Sequence, residues 1–228
     1  MTASSGSAVV RTVLDTGGGL VRRQVVVPGG ALFDGLAGAG GELWFVMKGT
    51  GGLTSGGGTA GSAEPVGPDT GVWLPPGTSY GLVAEGSGEL GVDSVVLPGG
   101  TAEETAETGQ TGEPLLSLLS ECAVEVTGDR RFRLLFGPGR GCEAATQFVG
   151  EIPPGRAPVH MHIYDEVVLI LAGKGVAHVG AEERPLTPGS CLHLAPGTPH
   201  CLENTGRDTL RVLGVFHPGG SPAAKRQT

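Results

Sequence analysis

The chain has 228 residues, enough for one large domain or two of ordinary size, with 43 glycines, 17 prolines and a formal net charge of -8. Scarce Lys/Arg clusters exclude a nucleic-acid surface, which depends on concentrated positive charge, and leave a small-molecule partner. Apolar runs at 25–27 and 167–171 exclude a disordered chain, yet none approaches membrane-spanning length. Residues 1–14 have no charged region followed by an apolar core, so a soluble, cytoplasmic protein is expected. Short apolar segments then alternate with Gly/Pro turns. "ELWFVMKGTG" begins at Glu42, and a Gly/Ser/Thr-rich stretch at 50–67 reads as an enlarged hairpin loop before "PDTGVWLPPGTSYGL" at 68–82. Residues 101–114 are acidic, small and without apolar periodicity, as an exposed linker is, and the apolar patch at 115–119 suits a short helix. A second series starts near Cys122, with "RFRLLF" (131–136) and "TQFVGEI" (146–152) as its first clear strands. From Ser221 the chain reads as a solvated tail.

Self-comparison joins the two series. The stretch 68–82 aligns without gaps on 188–202 at an offset of 120, and the match continues through Leu90 on Leu210 and Val92 on Val212. Glu42 and Gly49 lie on Glu166 and Gly173 at an offset of 124. A repeat of whole-domain length, built from short strands without a long amphipathic helix, predicts an all-β fold of two related barrels or jelly rolls. The expected divisions are 1–100, a linker at 101–120, a second barrel at 121–220 and a tail at 221–228.

The second copy concentrates ligand chemistry. In "HMHIYDE", His160 and His162 are two residues apart, so on an extended strand both imidazoles share a face, and Glu166 follows with the same parity. His200 comes shortly after a Pro-Gly turn, where an adjacent antiparallel strand brings it opposite the pair. Three imidazoles and a carboxylate suit one divalent transition metal (Fe, Mn, Ni, Cu or Zn) and leave coordination positions open for substrate.

The segment "HMHIYDEVVLILAG" (160–173) resembles the first motif of the cupin family, and "GSCLHLAPGTPHCLEN" (189–204) is similar to the second. The resemblance implies a tandem of two jelly-roll (cupin) barrels, with His160, His162, Glu166 and His200 as metal ligands. Gly155 stands one residue closer to the first histidine than the family pattern has it, and Ala195 replaces a usual proline. In the first copy the ligand positions read Leu36, Gly38, Glu42 and Tyr80, which makes that barrel degenerate. Glu42 is then a hydrogen-bonding or solvent-facing residue, and the domain a structural or dimerisation partner, compatible with a homodimer.

Gln147, Arg156, Tyr164, His178 and His193 lie on candidate strands or turns that could line the same cavity; packing or solvent-facing roles suit His178 and His193 better than catalysis. Asp165 should face away from Glu166. The four cysteines show no CxxC spacing and read as reduced, buried hydrophobes, with Cys191 and Cys201 placed to face each other across a hairpin. The resemblance implies a metal-dependent oxidoreductase of dioxygenase type acting on a small enolic or phenolic compound, ranked first because it needs only metal and substrate. A non-redox isomerase, cyclase or lyase using a Lewis-acid ion is the alternative, and a small-molecule binding module without turnover is the third.

Overall fold

A computed structural model describes residues 7–55, 63–99 and 112–223, and among them the regular elements are β-strands apart from a 3-10 turn at Leu119–Glu121. They form two compact units divided between Ser120 and Glu121. No helix among the described residues is long and apolar enough to cross a membrane.

In the first unit one sheet runs in the order β1 (Val9–Asp15), β2 (Val21–Pro28), β9 (Glu89–Val96), β4 (Glu42–Lys48), β7 (Thr70–Leu74) and β10 (Leu115–Leu118). The other runs β3 (Leu32–Leu36), β8 (Ser79–Ala84), β5 (Gly51–Ser55), β6 (Glu64–Val66). The second unit repeats the plan. Its larger sheet is β11 (Glu125–Thr127), β12 (Arg130–Phe136), β13 (Thr146–Ile152), β20 (Leu210–His217), β15 (Asp165–Ala172), β18 (Cys191–Leu194), and its smaller one is β14 (Gly155–Arg156), β19 (His200–Asn204), β16 (Gly175–Val179), β17 (Glu182–Leu186). Each unit is a jelly roll whose two sheets close over an apolar core: Val25, Val27, Trp44 and Leu82 in the first, Val168, Ile170, Ala177 and Leu202 in the second. Burying each of the Val, Leu and Ile side chains stabilises by roughly 1.5–3 kcal/mol.

The sequence reasons for these strands are local. β4 and β15 are central strands with Leu43 to Val46 and Val167 to Ile170 buried on both faces, which is why they read as unbroken apolar runs rather than alternating ones. Gly49 and Gly173 close the hairpins that follow, at φ 77° and 88°, a region that disfavours a side chain.

Three expectations need correction. The patch at 115–119 is not helical: Leu115–Leu118 pairs with β7 as an edge strand, because its apolar residues complete that sheet and only Leu119–Glu121 turns. The stretch at 50–67 is a hairpin but not all loop, since β5 and β6 pair within it; its tip, 56–62, lies outside the described residues, as do 101–111 of the linker. Cys191 and Cys201 do not face each other, for Cys191 is on β18 opposite Leu169 in the larger sheet and Cys201 on β19 opposite His178 in the smaller.

Candidate metal centre

Between β14 and β15 the chain alternates without being a regular strand. Val159, Met161 and Ile163 are exposed, while His160, His162 and Tyr164 turn the other way. One antiparallel bridge fixes this segment: the His160 amide donates to the His200 carbonyl at 2.9 Å, and the His200 amide donates back at 2.8 Å. The same rung that orders the backbone therefore sets two imidazoles side by side, with ring centroids 4.5 Å apart.

Both rings are oriented by their own backbones. His160 Nδ1 lies 3.1 Å from the Pro158 carbonyl and His200 Nδ1 lies 2.8 Å from that of Thr198. A carbonyl only accepts, so each Nδ1 carries the proton and each Nε2 carries the lone pair. His162 is held by packing, its ring stacked on Tyr164 at 4.8 Å and 12° and tilted against Phe216 at 5.3 Å. One ring nitrogen from each of the three histidines falls within 4.8 Å of the others. Glu166, whose side chain is 10% exposed, places Oε2 at 3.5 Å from His162 Nε2 and 3.6 Å from His200 Nε2.

This donor set fits a divalent cation. His200 Nε2 is fully buried and has no hydrogen-bond partner, which is costly for a polar atom unless something positive accepts its lone pair. The donors are borderline to hard, as first-row divalent ions prefer. They open on a cavity of about 80 Å³ lined largely by Phe132, Phe148, Ile152, Leu202, Val212 and Phe216. Gly214 makes room for one of these walls, because a Cβ there would overlap the Phe148 ring.

Comparison with known proteins identifies the domain that carries these residues. Residues 148–216 match the cupin domain family. The second unit thus carries a cupin domain. An uncharacterised protein of Methanocaldococcus jannaschii is 30% identical over 69 residues, a match spanning 29% of this chain and 55%, about half, of that relative. The fold of the whole chain is similar to the oxalate decarboxylase of Bacillus subtilis, a protein with Mn(II) centres, at a TM-score of 0.72 and 16% identity, covering 94% of this chain and 73% of that one. It is equally similar to a putative glyoxylate-induced protein of Pseudomonas aeruginosa, at a TM-score of 0.72 and 15% identity, covering 97% and 82%.

The five further pocket candidates do not line the cavity. Gln147 is wholly buried with parity opposite to Phe148, so it lies on the other face of β13. Arg156 is exposed on the two-residue strand β14, opposite Glu203. Tyr164 backs His162 rather than reaching the cavity; its hydroxyl donates to the Ser221 carbonyl at 3.3 Å, and burial, with the Glu166 charge second, pushes the phenol up to about 12. His178 lies on the outer face of the small sheet between Glu203 at 2.8 Å and Glu183 at 3.3 Å. His193 Nε2 lies 2.6 Å from Asp165 Oδ1, on the face of β15 away from Glu166.

The tail is not wholly solvated at its start, because Pro222 lines the cavity and Ser221 binds Tyr164. Sequence reasoning also missed Phe148, Phe216 and Arg130. Their alternation with buried neighbours was readable, but only the order of strands β12, β13 and β20 brings them to one place.

Proposed function

We propose that His160, His162, Glu166 and His200 hold one divalent transition-metal ion and that the C-terminal cupin uses it to bind and transform a small oxygen-donor substrate. The observation that carries this reading is the convergence of three imidazoles and a carboxylate around the buried, unpartnered Nε2 of His200. An ion held there supplies Lewis acidity and, if redox-active, electron transfer to O2. The residues do the rest. The Nδ1 contacts to backbone carbonyls keep the lone pairs aimed, Glu166 balances part of the charge, and the phenylalanine wall keeps water from the reacting groups.

Size narrows the substrate. A cavity of about 80 Å³ holds on the order of five to eight waters, far below the roughly 300–1,000 Å³ of drug-sized pockets. A compact enolic compound fits better than a large phenolic one.

Oxidation by O2 is the first reading, because Tyr164 is a poor acid with its hydroxyl engaged. Non-redox cleavage of a small acid is the second, supported by the similarity of fold to oxalate decarboxylase. Elemental analysis of the purified chain, followed by O2 uptake and anaerobic turnover on small enolic and acid substrates, separates them. Uptake of O2 with bound Fe, Cu or Ni supports the first, and anaerobic turnover the second. Tight ligand binding without turnover under any metal would leave a binding module, and absence of bound metal would refute the reading as a whole.

A further inference from the structure

One wall of the metal cavity is not a strand. Phe132, Phe148, Leu202 and Phe216 reach it from β12, β13, β19 and β20, each tied into a ladder. His160 and His162 sit on the segment fixed by the bridge to His200. Pro222 reaches it from beyond the end of β20, in a stretch from Gly219 to Ala223 that belongs to no strand. Its neighbours Ser221 and Ala223 are exposed while Pro222 is half-buried, so its ring stands between the cavity and solvent.

The residues of this stretch explain how it lies there. Proline has no amide hydrogen, so Pro222 cannot donate to a sheet. Gly219 and Gly220 let the chain pass close to the barrel: a Cβ on Gly219 would come within 2.9 Å of Pro138, and one on Gly220 within 2.6 Å of the Tyr164 ring. Ala144, Thr146 and Tyr164 then hold it. The Gly219 amide donates to the Ala144 carbonyl at 3.0 Å. The Thr146 hydroxyl donates to the Gly220 carbonyl at 2.7 Å and accepts from the Gly220 amide at 3.0 Å. The Tyr164 hydroxyl donates to the Ser221 carbonyl, and within the stretch the Ala223 amide donates to Ser221 Oγ at 3.2 Å. Each of these neutral bonds contributes modestly, far less than the ladders that fix the other walls.

Tyr164 links the stretch to the ion site. Its ring is committed to His162, on which it stacks, and to Phe216 at 4.6 Å, while its hydroxyl reaches Ser221. The side chain that backs a candidate ligand is thus the one that also carries the outer wall.

We propose that residues 219–223 are a removable wall of the metal cavity, in which Pro222 sets the size of ligand that reaches the ion and Thr146 and Tyr164 are the positioning residues that keep it closed. A ligand small enough for about 80 Å³ fits behind the wall, whereas a bulkier one must displace Pro222 and break those hydrogen bonds. The barrel selects compact oxygen donors by a segment it can move without losing a strand. The proposal rests on the metal reading above and adds the residue that determines specificity.

The test loads the unmodified chain, Pro222→Gly and Thr146→Val with Co(II) and titrates each with acetohydroxamate and benzohydroxamate, followed by visible absorption. The two chelators offer the same pair of oxygens and differ in bulk. Pro222→Gly removes the ring and frees the backbone, and Thr146→Val keeps the branched shape without the hydroxyl. The ratio of acetohydroxamate to benzohydroxamate affinity should fall by at least about tenfold in Pro222→Gly and by a smaller factor in Thr146→Val, with cobalt content equal in all three. Thr146→Val carries the test alone if the glycine variant misfolds. An unchanged ratio in Pro222→Gly, or in Thr146→Val when it stands alone, overturns the proposal. Metal-free protein separates this proposal from the metal reading. Diethylpyrocarbonate acylates accessible imidazoles, and the His162 side chain, 13% exposed, lies in the tryptic fragment 157–174. His162 should be modified faster in Pro222→Gly, Thr146→Val and Tyr164→Phe than in the unmodified chain, while His193, bound to Asp165, keeps its rate. If the unmodified chain takes up no cobalt, the metal reading fails and the labelling decides alone: faster modification of His162 keeps the wall, and equal rates refute it.

Discussion

The two barrels put a glutamate at the same point of the same strand and surround it differently. In the first, Glu42 is 5% exposed and its Oε2 accepts from Trp44 Nε1 at 2.9 Å and Ser94 Oγ at 3.2 Å. In the second, Val168 and Gly214 stand where Trp44 and Ser94 do, and Glu166 is left facing His162 and His200. Tyr80, at the place of His200, packs edge-on against Trp44 at 4.7 Å and tilts against Phe33 at 5.6 Å. Burial, with Glu42 next, pushes its phenol up to about 12. A barrel without imidazoles has thus become a core filled by aromatic rings, with its carboxylate satisfied by neutral donors. The jelly roll is indifferent to which solution fills it, because apolar burial and strand pairing hold it together in both cases.

The strongest way to break this contrast is to remove a ligand. His162→Ala or His200→Ala should lower metal affinity by more than about 100-fold, beyond what losing an outer-shell partner costs, and elemental analysis after dialysis should find little metal in a folded chain. Full occupancy in both variants would remove the proposed centre. A mutation confined to the first barrel should do the reverse. There Arg22 and Asp93, 0% and 1% exposed, form a bidentate pair with contacts of 2.8–3.1 Å. Asp93→Ala should cost about 3–5 kcal/mol in denaturant unfolding by leaving a buried guanidinium without its carboxylate, while metal content stays unchanged.

Alkaline pH should separate the barrels more mildly. Burial raises the Cys142 thiol from 9.0 to about 11, so its neutral form is favoured in the folded state. That stability is fully present below pH 9 and is lost as pH rises through about 11; by about pH 10.5 the loss should reach about 2 kcal/mol. Tyr80 of the first barrel follows the same sign one step later, between 10 and about 12. Unfolding of Cys142→Ala should lack the earlier component, and an unchanged profile would count against it. Smallest of all, Glu42→Gln should leave metal content intact and shift stability by less than about 1 kcal/mol, since an amide oxygen still accepts from Trp44 and Ser94.

Much of this was legible because strand periodicity and the repeat are local signals. Glu42 on Glu166 and Tyr80 on His200 follow from the offsets, and His160, His162 and Glu166 share parity in the chain itself. What failed depended on register. The offset of 124 set Leu36 at the first histidine's place, but Leu36 is 64% exposed and Tyr80 is paired with Gly35. The reason is a one-residue slip in the second barrel between Arg156 opposite Glu203 and His160 opposite His200, which no residue type marks. The strand at Leu115–Leu118 was unreadable for a different reason, since four residues are too few for periodicity to tell strand from helix. Arg130 was hidden by distance along the chain.

The paired amides of His160 and His200 have a consequence for exchange with solvent. Each amide is locked to the other residue's carbonyl, so neither can exchange its hydrogen without the rung opening, and both must open together. The segment carrying His160 and His162 is otherwise tied to its neighbours by the Ala157 amide to Leu202 and the Gly197 amide to the His162 carbonyl. An opening that breaks this rung exposes the site without requiring the whole barrel to unfold. The amides of His160 and His200 should report that opening with one common free energy, raised by anything that binds between their side chains.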